Sequence, residues 1–290
     1  MIRAGDSINW QSPINRAHQL NCDLHGWWMV TPDTRGGYSL RDLTNETLST
    51  IRDNTTAANG MWRFDSRRGG WGSLALDGTN DNVLVDTTKG TTMMAGFGQF
   101  TIMAWVKTSN TDTQCVFGCF DGADDCFHFE INRGASLDTA GAVFAIGRTG
   151  VTSDLTGYTA DTGLADGLWH HVAVAWHHGT QLMQFYVDGR NWATTYTEQA
   201  IGNTFATFDR TVLIGAMNSE GSVARPISGN LDDVRFYRRA LAAPEVDRYY
   251  RLSLQGYPGI LNRFTSPAVS ATAVGSIPRV MRHRMSQGMS

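Results

Sequence analysis

A chain of 290 residues with 41% hydrophobic content can bury a sizeable core, and a net charge of −3 from 24 basic and 27 acidic side chains excludes the broad positive field that a nucleic-acid partner or an anionic membrane surface demands. Glycine at 31 against proline at 7, with 10% aromatic and only 18% charged residues, is the make-up of a turn-rich sheet protein and excludes a helical bundle or coiled coil. No apolar run reaches the roughly 18 residues of a bilayer-spanning helix, so no membrane insertion is expected, and four cysteines are too few for a disulfide scaffold.

Residues 1–23 are polar, broken by Pro13, and carry scattered apolar anchors at Ile8, Trp10 and Ile14; they form an N-terminal arm. From 24 to 250 the chain alternates short apolar runs with Gly, Asn and Asp turns. Phe100, Ile102, Ala104 and Val106 alternate with Thr101, Met103, Trp105 and Lys107, the period-2 pattern of a strand. Similar runs recur at 114–120, 126–132, 142–147, 169–177, 182–187, 211–215 and 231–237. Between Leu182 and Trp192, Asp188-Gly189 supplies the positive φ angles that a tight hairpin requires. Strands at this spacing predict an antiparallel sandwich. One helix is predicted at 244–251, with Pro244 in its first turn and acids near its positive end. Residues 251–290 hold five arginines and no acid, leaving a net −8 for residues 1–250, and form a basic C-terminal tail.

The run from Ser73 to Val85 around Asp77-Gly78, then Phe100 to Val106, Gly167 to Val174, Phe185 to Gly189, Ile214-Gly215 and Gly229 to Leu241 stand in an order and spacing that resembles the laminin-G-like, concanavalin A-like jelly-roll family. Gly26-Trp27-Trp28 and Arg41 to Thr44 are similar to that family's first strand and turn, so the resemblance covers about 24–250. It implies an all-β fold, a two-sheet antiparallel jelly-roll sandwich with one short C-terminal helix, used for binding glycans or proteins and often holding one structural Ca2+. The flanks, Ile8 through Trp28 and Arg251 through Arg263, are similar to those beside this module in bacteriophage structural proteins. The expectation that follows is a virion component, such as a capsid decoration protein. It would assemble in the host cytoplasm, in keeping with a start at Met1 to Asp6 that lacks the apolar core of a secretory signal. Arg251, Tyr257, Ile260, Leu261, Arg263 and Phe264 would attach it to other virion proteins or to copies of itself. The alternatives are a carbohydrate-binding module or adhesin that recognises cell-surface glycans and, behind that, a hydrolase.

Asp232 has the parity of Val234 and Phe236 on one strand, which predicts a carboxylate on the inner face that must be paired or bound to a cation. With the oxygen-rich turn from Asp77 to Asp81, it forms the expected calcium ligand set; the competing reading is an Asx turn at 77–81 and a salt bridge from Asp232 to an arginine. The pairs His170-His171 and His177-His178 point to opposite faces and cannot chelate one zinc ion. Cys115, Cys119 and Cys126 match no zinc spacing; a Cys119–Cys126 bridge across a hairpin and ordinary buried thiols both remain open. The Glu-x-Asp-x-x-Glu strand motif of related hydrolases is absent, since Glu245-Val246-Asp247 falls in the predicted helix, so no catalysis is expected. Trp71 and Trp192, near turns, are the candidates for stacking on sugars, whereas Trp27, Trp28, Trp105, Trp169 and Trp176 belong to strand patterns and the core.

Overall fold

The computed structural model describes residues 18–30, 38–44, 47–52, 61–67, 71–121, 125–132, 143–148, 151–159, 163–180, 182–192, 194–198 and 210–256. The strands in chain order are β1 (Leu24–Trp28), β2 (Ser39–Arg41), β3 (Leu48–Arg52), β4 (Trp62–Arg63), β5 (Ser73–Asp77), β6 (Asn82–Leu84), β7 (Gln99–Thr108), β8 (Gln114–Asp121), β9 (Asp125–Ile131) and β10 (Val143–Arg148). They continue with β11 (Val151–Thr159), β12 (Trp169–His177), β13 (Leu182–Val187), β14 (Arg190–Trp192), β15 (Thr194–Glu198), β16 (Leu213–Ile214), β17 (Met217–Ser219), β18 (Ser222–Ala224) and β19 (Ser228–Tyr237). Two α-helices accompany them, α1 (Thr87–Thr92) and α2 (Ala243–Ser253).

One sheet has eight strands in the order β14-β13-β12-β7-β19-β5-β4, with β1 also on β19; the other has eleven, β15-β11-β10-β9-β8-β16-β6-β3-β2, with the β17–β18 hairpin beside β8. Alternation explains how they pack. Phe100, Ile102, Ala104 and Val106 of β7 and Val172, Val174 and Trp176 of β12 meet Val116, Phe117, Phe127, Phe129 and Ile131 of the facing sheet in the main core. The all-β two-sheet sandwich predicted from the sequence is therefore the fold, and the Asp188-Gly189 hairpin closes with Val187 opposite Arg190 and φ of 49° and 75° at its two turn residues.

The opposite side of the eight-stranded sheet is buried as well, so β7 is apolar on both faces. Met103, Ala173, Ala175, Tyr186 and Tyr237 form a second core with Trp27, Leu241 and the Val246 and Tyr249 face of α2. That helix begins where Pro244 fills a donor-free position and Glu245 accepts from the Ala242 N–H at 3.0 Å, and it runs to Ser253, slightly longer than predicted.

Beneath α2 lies a buried ionic cluster. Arg67 reaches Asp232 at 3.3 Å and Asp233 at 3.0 Å, and donates to the Ser253 carbonyl at 2.5 Å. Asp233 also accepts from the Trp27 indole at 2.7 Å and from Arg235 at 3.1 Å, while the Arg235 guanidinium is sandwiched between the Trp27 and Tyr249 rings. A bulge sets this geometry. Asp232 pairs with Trp105 but Arg235 with Met103, so two residues of β19, Asp233 and Val234, oppose one of β7, and Asp233 takes a φ of 59°. The parity expected for Asp232 is thereby corrected: Leu231, Val234 and Phe236 enter the main core, whereas Asp232 follows Trp105, whose indole donates to Ser253 of α2. Burial holds the Asp232 carboxyl above the usual carboxylate range, against the pull of Arg67.

Candidate functional site

The two outer faces of the sandwich differ. Among the described residues the second apolar core belongs to the eight-stranded sheet, and the outer face of the eleven-stranded sheet carries polar side chains. On β9 the alternation that sends Phe127, Phe129 and Ile131 inward leaves His128 and Glu130 on that outer face. Gly118 of β8 lies opposite His128, and a Cβ there would sit 2.6 Å from the His128 Cβ, so only glycine fits at this strand spacing. Glu130 lies opposite Cys115, with no exposed surface of its own.

The carboxylate is held from across the sheet. Arg225, just past β18 and with a φ of 50°, pairs through Nη1 with Glu130 Oε1, and His128 Nε2 stands 3.5 Å from the same oxygen. The Cys115 N–H donates to the Arg225 carbonyl at 2.7 Å, fixing the backbone that carries the guanidinium. Burial, with the Glu130 charge next, pushes the Cys115 thiol well above its ordinary range, so it remains an unreactive thiol. The Arg225 side chain keeps 37% of its surface exposed while Glu130 keeps none, so the solvent-facing part of the pair belongs to the arginine. The adjoining hairpin is organised by Asn218, which donates to the Thr211 carbonyl at 2.9 Å and accepts from the Gly221 N–H at 3.1 Å. An arginine held in this way can offer its remaining N–H donors to an oxygen acceptor on this face. Sequence reasoning missed it. The available signal was one carboxylate inside the apolar run from Phe127 to Ile131, but its partner stands 95 positions away in an irregular segment.

The residues singled out from the sequence lie elsewhere and apart. Asp77 Oδ1 accepts from the Thr79 and Asn80 N–H groups at 2.7 and 3.3 Å, an Asx turn, and Asp81 accepts from the Asp77 N–H at 3.1 Å. Asp77 faces Ser228 across the β5–β19 ladder, which puts Asp232 about 13 Å along the strand at roughly 3.3 Å per residue. Asp232 gives its oxygens to Arg67 and to the Val30 N–H at 3.1 Å. Asn80 and Asn82 keep buried amide oxygens without hydrogen-bond partners in that turn, but two neutral amides are not the carboxylate-rich shell calcium takes. Asp77, Asp81 and Asp232 therefore do not fit calcium as one ligand set, and the arginine salt bridge is what the structure holds.

Trp71 is half-buried against the second core and Trp192 half-buried against the main core on edge strand β14, so the two do not share a surface. Trp169 is also half-buried, donating to Asp65 at 3.3 Å, whereas Trp27, Trp28, Trp105 and Trp176 are core residues. Cys119 pairs in register with Phe127, and Cys126 with Phe120, so the two cysteines are not directly opposite each other in the ladder; Cys119 is buried. Arg251 is on the exposed side of α2, paired with Asp247 at 2.9 Å, and Tyr257, Ile260, Leu261, Arg263 and Phe264 lie outside the described residues.

Residues 77–247, more than half of the chain, match the family model described as the Concanavalin A-like lectin/glucanases superfamily, in its Laminin_G_3 branch; the chain belongs to that family. No curated protein matches the sequence. Similar solved structures include the receptor-binding domain of the botulinum neurotoxin C/D mosaic serotype, with a TM-score of 0.55 and 11% identity over 80% of this chain and 51% of that one. The binding domain of Paraclostridial Mosquitocidal Protein 1 gives 0.52 and 15% over 80% and 52%, so the chain spans about half of each toxin domain. The CBM40 of the Ruminococcus gnavus IT-sialidase bound to α2,3-sialyllactose gives 0.47 and 20% over 61% and 97%. The expectation of a virion component is corrected here: the two toxin structures that share this fold are binding domains, not particle proteins.

Proposed function

We propose that this chain is a carbohydrate-binding, lectin-like module that recognises glycans without cleaving them, through the outer face of the eleven-stranded sheet with Arg225 at its centre. The observation that carries this reading is the Glu130–Arg225 pair: a fully buried carboxylate anchors a partly exposed guanidinium on the sheet face that lacks an apolar cover among the described residues. A donor whose side-chain entropy is already lost on folding binds hydroxyl or carboxylate oxygens at lower cost than a free surface arginine does. Membership of a lectin and glucanase superfamily supports a sugar as the ligand. Binding without cleavage is in keeping with the state of Glu130: a carboxylate with no exposed surface, held by Arg225, is not placed to act on a glycosidic bond.

The test is a screen of neutral and sialylated oligosaccharides, sialyllactose among them, followed by calorimetry on the best binder. Arg225→Met is expected to weaken that binding by about tenfold or more, the loss of one charge-assisted contact, with the circular dichroism spectrum unchanged. Equal binding by wild type and variant, or no glycan bound at any concentration tested, would reject the site. Release of reducing sugar would reject the non-catalytic reading.

A further inference from the structure

His171 on β12 is wholly buried, and among the described residues neither ring nitrogen has a hydrogen-bond partner. Its backbone is satisfied, because its N–H donates to Asp188 Oδ1 at 2.9 Å and its carbonyl accepts from the Asp188 N–H at 2.8 Å. What surrounds the imidazole is aromatic. Trp105, its ladder partner on β7, lies 5.5 Å away edge-on, and Tyr249 and Tyr250 of α2 stand at 5.7 and 5.9 Å between ring centroids. Tyr250 in turn stacks on Trp105 at 5.6 Å. The C-terminal half of the helix therefore rests on an imidazole that must stay neutral, since an imidazolium needs acceptors for two N–H groups and finds none.

We propose that His171 is an acid-operated latch: protonation of its imidazole releases α2 from the eight-stranded sheet while the sandwich beneath stays folded. The charged groups around it are Asp233 and Arg235 of β19, Arg67 from the segment before β5, Asp188 of the β13–β14 turn and the neighbouring His170, with the phenols of Tyr249 and Tyr250 from α2. Burial dominates, bringing the His171 pKa down to about 4; Asp233 and Asp188 pull upward and Arg67 and Arg235 push further down. The neutral form is thus held well below the pH at which a solvated histidine protonates, and the difference between the two pKa values drives undocking. The helix is a suitable moving part. It meets the sheet through few side chains, Val246, Tyr249 and Ser253 being its buried residues, and it makes no ladder bonds.

The test is amide hydrogen exchange on the full chain from pH 7 to pH 4, corrected for intrinsic rates, with the His171 ring titrated by NMR in parallel. The ring is expected to titrate near 4, and protection of the 243–253 amides to fall on the order of 100-fold while the β7–β12 ladder keeps its protection. His171→Phe, which replaces the imidazole by an apolar ring, is expected to remove that fall. A ring titrating near 6.5, helix and ladder losing protection together, or an undiminished fall in the variant would each overturn the latch. The ring titration and the helix-to-ladder comparison decide the matter even if the variant fails to fold.

Discussion

Arg67 donates to Asp233 at 3.0 Å across 166 positions of sequence, with both side chains wholly buried. Around that contact two arginines and two aspartates balance each other between the eight-stranded sheet and α2, so the cluster tolerates burial only while complete. Arg67→Met leaves Asp232 and Asp233 facing a single buried cation. We expect it to cost about 3–5 kcal/mol in urea unfolding, with an unchanged m-value if the native fold persists. A loss below about 1 kcal/mol would show that the cluster is not a keystone of the α2 layer.

Much of the sandwich was legible because its signals are local. The alternation from Phe100 to Val106 and the Asp188-Gly189 turn are each read within a dozen residues, and both strand and hairpin stand where they were predicted. The failures came from long range and from register. An extra residue at Asp233 does not alter the apolar pattern of β19, yet it turns Asp232 from the interior to the helix side. Arg67 and Arg225 sit in irregular segments where composition carries no directional information, and each meets its carboxylate only through the fold. Trp71 and Trp192 illustrate the same limit: nearness to a turn does not decide exposure, and both lean on a core.

Gly118 makes the candidate site dependent on one missing methyl group. Gly118→Ala would place its Cβ 2.6 Å from the Cβ of His128 and 2.9 Å from the Phe127 carbonyl, backbone and stiff side chain rather than a flexible tip. A destabilisation of about 1–3 kcal/mol is expected, together with weaker glycan binding as β8 and β9 part around Glu130. A variant as stable as wild type would mean that the two strands shift freely at this point.

His170, next to the buried His171, has the opposite sign of pH dependence. Its Nδ1 lies 2.9 Å from Asp188 and its Nε2 3.1 Å from Asp166, and the hydrogen bond to Asp188 raises its pKa above the ordinary value despite partial burial. A group with a raised folded-state pKa stabilises the protein fully below the unfolded value near 6.5 and loses that contribution as the pH rises through the folded value. His170→Gln should therefore lower the melting temperature at pH 6 and make little difference at pH 9. A variant whose deficit grows with pH would contradict the assigned pairing.

The functional pair offers a sharper test than either residue alone. Glu130 has no exposed surface, so it cannot touch a ligand and can influence binding only by holding Arg225. Glu130→Gln keeps the shape and an acceptor for the guanidinium while removing the charge, so it should loosen Arg225 and weaken glycan binding by less than Arg225→Met does. If Glu130 works solely through Arg225, adding Glu130→Gln to Arg225→Met should produce no further loss of affinity, and the double-mutant cycle should return a coupling free energy equal to the whole effect of Glu130→Gln. Additive losses would place a second ligand contact on β9, with His128, 3.5 Å from the same carboxylate, the first residue to substitute.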